Sequence, residues 1–314
     1  MKKNGKSLWH RIKSNSFAYY FILPTALAML FLHLSPVAQG IYMSFLKLNQ
    51  FTLQSYLLAP FVGLNNYYSV LIDVQSPIRI GLIEAVRNTV IYTILVTSGT
   101  LFMGMIVALM LNRKFFGRSL VRTFFLFPWI VPTYVTGLLW GIIWLKEGGL
   151  INVALVDWLH ILPFKPSWLS GPNTMWAIII PSIWRFWPLS MLMLLAGLQT
   201  IPDELYEAAD IDGASPWRKF WMITWPMLKP VWFILILFGL IYNTYSFNIV
   251  IMMFGFGAGF PGEWGDLMMT NIFRNSFQLW NFGTGAATSV LLLIVMILIV
   301  NVWLKYFKQV EEIS

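Results

Sequence analysis

The chain has 314 residues, of which 58% are hydrophobic, 17% aromatic and only 11% charged, against about a quarter charged in a soluble domain. Its apolar residues fall in long blocks, which excludes an ordinary soluble fold, and the absence of cysteine excludes disulfides, thiolate metal sites and cysteine nucleophiles. The formal charge of +8 would suit nucleic acid, but topology places the basic residues of a membrane protein, so their positions decide the matter.

The chain opens on a basic tail, residues 1–16, carrying Lys2, Lys3, Lys6, Arg11 and Lys13. Stretches without Asp, Glu, Lys or Arg then run over 14–46, 88–112, 123–145, 230–262 and 275–304, each longer than the ~20 residues that cross a hydrocarbon core. A further block, 166–202, is broken only by Arg185, and its part from 174 to 199 is long enough to span. The first run is too long for a signal peptide and shows no small-residue cleavage site before His33 and Pro36, so it is kept as a helix. The pattern predicts an all-α polytopic integral membrane protein: six transmembrane helices within one domain over 17–306, and a tail over 307–314.

Six spans put both termini on one side of the membrane. Lys and Arg number five in the N-terminal tail, four in the 113–122 loop, three in the 202–229 loop and two at the C-terminus, fourteen on that side against six on the other, with Arg185 inside a span. The positive-inside rule predicts both termini on the cytoplasmic side of the membrane, with no need of nucleic acid as a partner.

The cytoplasmic loop between spans four and five, about 200–230, carries the strongest local punctuation. Pro202 suits a first helical position, Asp203 and Glu204 complement the positive end of the helix dipole, and Gly213 suits the residue just past the helix end. Ser215 then caps a second helix beginning at Pro216, which Pro226 and Pro230 end near the membrane. The spacing predicts a helix-turn-helix, with Ala208 and Ala209 small enough for close approach and Glu207 and Asp212 available as anchors. Read from topology alone, a loop that does no more than join two helices is an equal alternative.

Glu207-Ala208-Ala209, Asp212-Gly213-Ala214, Phe220, Ile223 and Pro226 resemble the EAA loop in permease subunits of binding-protein-dependent ABC importers. The resemblance extends to Leu23-Pro24 with Ser44-Phe45, to Phe61-Val62-Gly63-Leu64-Asn65-Asn66-Tyr67, to Leu111-Asn112-Arg113, to Pro128-Trp129 and to Leu194–Gln199, and it follows the sugar-type branch. It implies that Glu207, Ala208, Ala209, Asp212, Gly213, Ala214, Phe220 and Pro226 couple to a cytoplasmic ATPase subunit dimer, where ATP and Mg would bind, this chain holding no cofactor itself. It also implies a second permease subunit, an extracytoplasmic solute-binding protein and membrane lipid as partners. The family's Gly-Gly-Pro after the fifth span is replaced here by the longer Gly255-Phe256-Gly257-Ala258-Gly259-Phe260-Pro261, so the outer-face contacts transfer less well.

The chain contains no energy source of its own. Gly5-Lys6-Ser7 lacks the earlier glycine and the preceding strand of a phosphate-binding loop, and His10, His33 and His160 lack metalloprotease spacing. No span interior carries Asp or Glu, which argues against the main alternative, a self-sufficient secondary carrier or channel, because proton-coupled carriers keep a titrating group there. An intramembrane enzyme is disfavoured by the lack of a paired nucleophile and base.

Candidate solute contacts combine polar groups with aromatic faces. In the fifth span Gly239, Tyr242, Asn243, Ser246 and Phe247 share roughly one helical face, and the family resemblance places Asn243 first among pathway residues. The competing reading is an Asn243 hydrogen bond to a neighbouring helix, worth about 0.6 kcal/mol on average in membranes. The fourth span contributes Ser182, Phe186 and Leu189, with Pro181 and Pro188 placed to bend it. Arg185, costly at mid-membrane, is expected to pair with the partner permease in preference to binding an anion. Gly137-x-x-x-Gly141 suits close helix packing.

Overall fold

The computed structural model describes residues 16–255 and 260–311. The five basic residues of the tail, Gly5-Lys6-Ser7, His10 and residues 256–259 of the altered loop lie outside the described residues.

Helix α1 (Ser16–Met29) passes through a widened π turn at Leu30–Leu34 into α2 (Ser35–Met43). The turn widens where Pro36 has no N–H to donate to Leu32, a defect a continuous α-helix would leave in its ladder. Next come α3 (Asn65–Leu71) and α4 (Pro77–Asn112), the latter 36 residues long. The third span is two helical runs, α5 (Arg118–Phe125) with α6 (Phe127–Ile130), then α7 (Thr133–Ile143), bent by 87° at the break. Helix α8 (Thr174–Leu198) carries Pro181 and Pro188 without interruption. After α9 (Asp203–Ile211) and α10 (Pro216–Lys219), the chain bends by 68° around Leu228 into α11 (Lys229–Thr244). The short helices α12 (Asn248–Met253) and α13 (Met268–Phe273) precede α14 (Phe282–Glu311). Among the described residues, four helices are long and apolar enough to cross a membrane, or up to six if each bent pair is one span.

Several boundaries differ from the charge-free runs. The second span's helix begins at Pro77, eleven residues before the run, because Arg79, Glu84 and Arg87 occupy its first turns. Charge marks the edge of the hydrocarbon and not the end of a helix. The fifth span, expected over 230–262, ends as a helix at Thr244, and the apolar run continues through a break into α12. The sixth starts at Phe282, just past Trp280, whose φ of 56° cannot continue a right-handed helix. It stays helical through Glu311, past the point where a tail was expected.

The chain divides into two compact units, one of Met1–Ile72 with Asn275–Leu292, the other of Asp73–Arg274 with Leu293–Ser314. In the first, the segment Phe61–Tyr67 clasps the end of the first span. Asn66 Nδ2 donates to the carbonyls of Ser44 and Leu46, both at 2.9 Å, and the Ser44 and Tyr67 hydroxyls lie 2.6 Å apart. Leu46, Leu48, Ala59 and Phe282 form its apolar centre.

In the second unit α4 runs along α8. An added Cβ at Gly104 would meet Ser190 Cβ at 2.8 Å and Met191 N at 2.9 Å, so glycine sets that approach. One core gathers Leu111, Met191, Leu194 and Leu228, the other Tyr92, Val96, Ile178 and Ile249. The Gly137-x-x-x-Gly141 pair seats α12 on α7: a Cβ at Gly137 would stand 2.5 Å from the Ile249 carbonyl oxygen, and one at Gly141 3.0 Å from that of Met253. Backbone cannot yield as a side-chain tip does, so Gly137→Val is expected to destabilise the purified protein by about 1–3 kcal/mol. Thermal unfolding in detergent measures this, and an unchanged midpoint would disprove the seating.

Candidate functional site

Two arrangements carry candidate residues. The first is the helix-turn-helix formed by α9 and the helical run from Pro216 to Met227. Pro202 is the residue before α9, one position earlier than expected, and Asp203 and Glu204 occupy the first turn. Gly213 has φ of +69°, a conformation open to glycine, and the turn closes with Gly213 N donating to Asp210 O at 3.0 Å and Ala214 N to Ala209 O at 2.9 Å. The Ser215 hydroxyl accepts from Arg218 N at 3.3 Å, so its cap is in place. A Lys219–Asp210 ion pair ties the two helices.

The motif residues separate onto two faces. Phe220 and Ile223, with Tyr206, pack on the second unit's core, and the Tyr206 hydroxyl lies 2.9 Å from Thr224 Oγ1. Ala209, Ala214 and Pro226 are half-buried, while Glu207, Ala208, Asp212 and Gly213 are exposed. Ile211, 88% exposed, stands beside them. One face fastens the loop to its own chain, and the other presents carboxylates and small residues around an uncovered isoleucine.

The second arrangement is a cavity of about 430 Å³. Its wall includes Phe186 and Leu189 of α8, Gly239, Tyr242 and Asn243 of α11, and Ser246 in the break after α11. Tyr242 is 64% exposed. Asn243 is only 5% exposed and its amide donates to Thr97 Oγ1 of α4 at 3.0 Å, so the helix-bridging role is present alongside its place on the wall. Gly239 faces the same threonine, which leaves no room for a Cβ, the nearest atom lying at 2.6 Å.

Ser182 is a correction: it does not line the cavity. It is fully buried, donates to the Ile178 carbonyl at 2.7 Å and lies 2.7 Å from the Tyr92 hydroxyl, itself 2.9 Å from Ser246 Oγ. Helical periodicity sets the direction a side chain faces and not its depth; Ser182 sits a turn away from Phe186, where Tyr92 fills the space.

Arg185 makes its contacts here within its own chain: Nη1 donates to the carbonyls of Trp129 at 2.5 Å and Pro128 at 3.4 Å, and Nε and Nη2 donate to Thr133 Oγ1 at 3.3 and 3.2 Å. The carbon at its centre lies 5.4 Å from the Phe186 ring centroid.

The sequence reading missed Tyr92, Thr97 and Thr100. The signal was available as a row of polar residues along an apolar helix: Asn88, Thr89, Thr93, Thr97 and Thr100 are all buried in α4. It also missed a polar cluster at the N-terminal end of that row. Asn88 donates to the Glu263 and Asp266 carbonyls at 2.6 and 3.1 Å, and Met268 N donates to Thr89 Oγ1 at 2.8 Å. Asp266, 3% exposed, accepts from Thr270, Asn271 and Arg274 at 2.7, 3.0 and 2.8 Å. Burial pushes its carboxyl above the usual value, against the opposing pull of those hydrogen bonds and the Arg274 charge.

Comparison with known proteins gives a consistent picture. Residues 100–310 match the family model described as "Binding-protein-dependent transport system inner membrane component". The chain is 34% identical to a sulfoquinovosyl glycerol transport system permease protein of Agrobacterium fabrum, over 96% of this chain and 93% of that protein. It is 33% identical to a trehalose/maltose transport system permease protein of Thermococcus litoralis, over 94% and 95% respectively. Its fold is similar to a chain in the crystal structure of a bacterial ABC transporter involved in importing the acidic polysaccharide alginate, with TM-score 0.76 and 22% identity, covering 97% of this chain and 99% of that one.

Proposed function

Because the chain belongs to the family of binding-protein-dependent transport system inner membrane components, we propose that it is one of two membrane-spanning subunits of an ATP-driven importer for a carbohydrate or carbohydrate-like solute. In this reading residues 17–306 act as one transmembrane domain with both termini cytoplasmic. The cavity is half of the translocation pathway, and an extracytoplasmic binding protein delivers the solute. The exposed face around Glu207, Ala208, Asp212 and Gly213 docks on a separate ATPase, where ATP and Mg bind. No step of bond-making chemistry is assigned to this chain.

The observation that carries the pathway reading is the meeting of Phe186, Leu189, Gly239, Tyr242, Asn243 and Ser246 on one cavity wall. Tyr242 offers an aromatic face, while Asn243 and Ser246 offer donors and acceptors, a combination suited to a polyhydroxylated solute in an otherwise apolar wall. The named substrates of the relatives, a sulfoquinovosyl glycerol and trehalose or maltose, fall in the same class.

The natural absence of cysteine makes a direct test simple. Tyr242→Cys introduces one thiol at an exposed position of the wall. In the assembled transporter it is expected to react with a small water-soluble thiol reagent. At a solute concentration about ten times the dissociation constant, modification is expected to slow by about tenfold, in line with occupancy. A panel of neutral and acidic oligosaccharides identifies the protecting solute. No protection by any of them, in a transporter active on one of them, would refute the pathway reading.

A further inference from the structure

The 87° bend between α6 and α7 lies against Arg185, and the hydrogen-bond inventory there is incomplete without that side chain. In an unbroken helix the Pro128 carbonyl would accept from the N–H of residue 132, but residue 132 is proline and has none. The Trp129 carbonyl would accept from residue 133, but Thr133 opens the next helix in a new direction. Both acceptors have lost their helical partners at the bend, and broken helices persist in a membrane protein only when something re-satisfies the freed groups. Arg185 Nη1 reaches both carbonyls, while Nε and Nη2 converge on the Thr133 hydroxyl at the first residue of α7. One planar guanidinium therefore grips the last carbonyls before the break and the first side chain after it.

We infer that Arg185 is a clamp that fixes the break in the third span, and thereby the position of Trp129 and Thr133 on the cavity wall. It is a positioning residue. The shape of the acceptor set favours this role over anion binding: three oxygens on two sides of a bend match the fork of a guanidinium, whereas an ammonium is a compact charge that cannot reach across it in the same way. The Phe186 ring beside the guanidinium, from the next residue of α8, limits its swing. The effect on uptake rests on the cavity being the pathway; the effect on the geometry of the bend does not.

The test uses the cysteine-free chain in the assembled transporter, with Trp129→Cys as reporter and a neutral thiol reagent, so that removing a charge does not itself alter the local reagent concentration. Arg185→Lys and Arg185→Gln are both expected to speed modification by about tenfold, the factor that loss of one hydrogen bond to a charged group carries. Thr133→Val, which removes one anchor and is the milder variant should the arginine substitutions impair folding, is expected to give a smaller increase. Adding Thr133→Val to Arg185→Gln is expected to add nothing further. Wild-type rates with Arg185→Lys would overturn the clamp, since charge alone would then suffice. Unchanged rates with all variants would overturn it as well. So would a preference for an anionic over a neutral reagent at Tyr242→Cys that lysine keeps and glutamine loses while the neutral rates stay constant, which would make Arg185 an anion site. If the rates at Trp129→Cys rise as expected but Tyr242→Cys is never protected by solute, the clamp stands and the pathway reading falls.

Discussion

Glu207→Lys is expected to leave the chain inserted and folded while uncoupling it from the proposed ATPase partner. Glu207 lies on the exposed face of α9, with no packing role to lose, and reversal of its charge places a cation where the proposed partner has met a carboxylate. Truncating one member of a buried charge pair at an interface costs about 2–5 kcal/mol, so association of the ATPase is expected to weaken by at least about thirtyfold and uptake to fall with it. Gly213→Val should act in the same direction by another route. An added Cβ at Gly213 meets nothing within 4 Å, so the penalty lies wholly in forcing a β-branched residue to a φ of +69°. Phe220→Ala supplies the contrast: Phe220 packs on the core, so its loss should lower the unfolding temperature first. Co-purification of the ATPase with Glu207→Lys at wild-type yield, together with full uptake, would remove Glu207 from the contact.

The second large effect concerns Asp266. Asp266→Ala leaves Arg274, Asn271 and Thr270 without their shared acceptor, and breaking a buried pair from one side costs about 3–5 kcal/mol. Asp266→Leu combined with Arg274→Met is expected to cost much less, because no charge is then left buried without its partner. Urea or thermal unfolding of the purified transporter distinguishes the two, and equal losses would show that the pair is not the source. The pH dependence has a definite sign. A carboxyl whose folded value is raised by burial binds its proton more readily folded than unfolded, so this site's contribution to stability falls as pH rises from the ordinary value of 3.8 through the raised one. Asp266→Asn should remove that slope.

Much of the fold is legible because lipid punishes charge. Runs free of Asp, Glu, Lys and Arg, or in one case broken only by Arg185, located the helical segments long enough to cross, and Gly213, Ser215 and Pro216 marked the loop's turn through local chemistry alone. What the runs could not register is direction. Pro132, which has no N–H to donate, marks the break before Thr133 in the sequence but not its 87° angle, while the break between Thr244 and Asn248 falls in a charge-free stretch with neither proline nor glycine. At the site, attention to formal charge hid the threonines of α4. Thr97 carries neither a charge nor an unusual hydropathy, yet it meets both Gly239 and Asn243. Arg185 was conspicuous, but its partners are main-chain carbonyls at Pro128 and Trp129, and carbonyls leave no trace in a residue pattern.

The bend at Leu228 has a mechanical consequence. Leu228 is fully buried between the helical run that ends at Met227 and the 16 residues of α11. At 1.5 Å per residue that helix is an arm about 24 Å long, so a tilt of only about 5° around its buried fulcrum swings the far end by about 2 Å. The far end carries Tyr242 and Asn243, and a swing of that size is enough to part the 3.0 Å hydrogen bond from Asn243 to Thr97. The loop and the cavity wall thus lie on either side of Leu228 in one continuous stretch of chain.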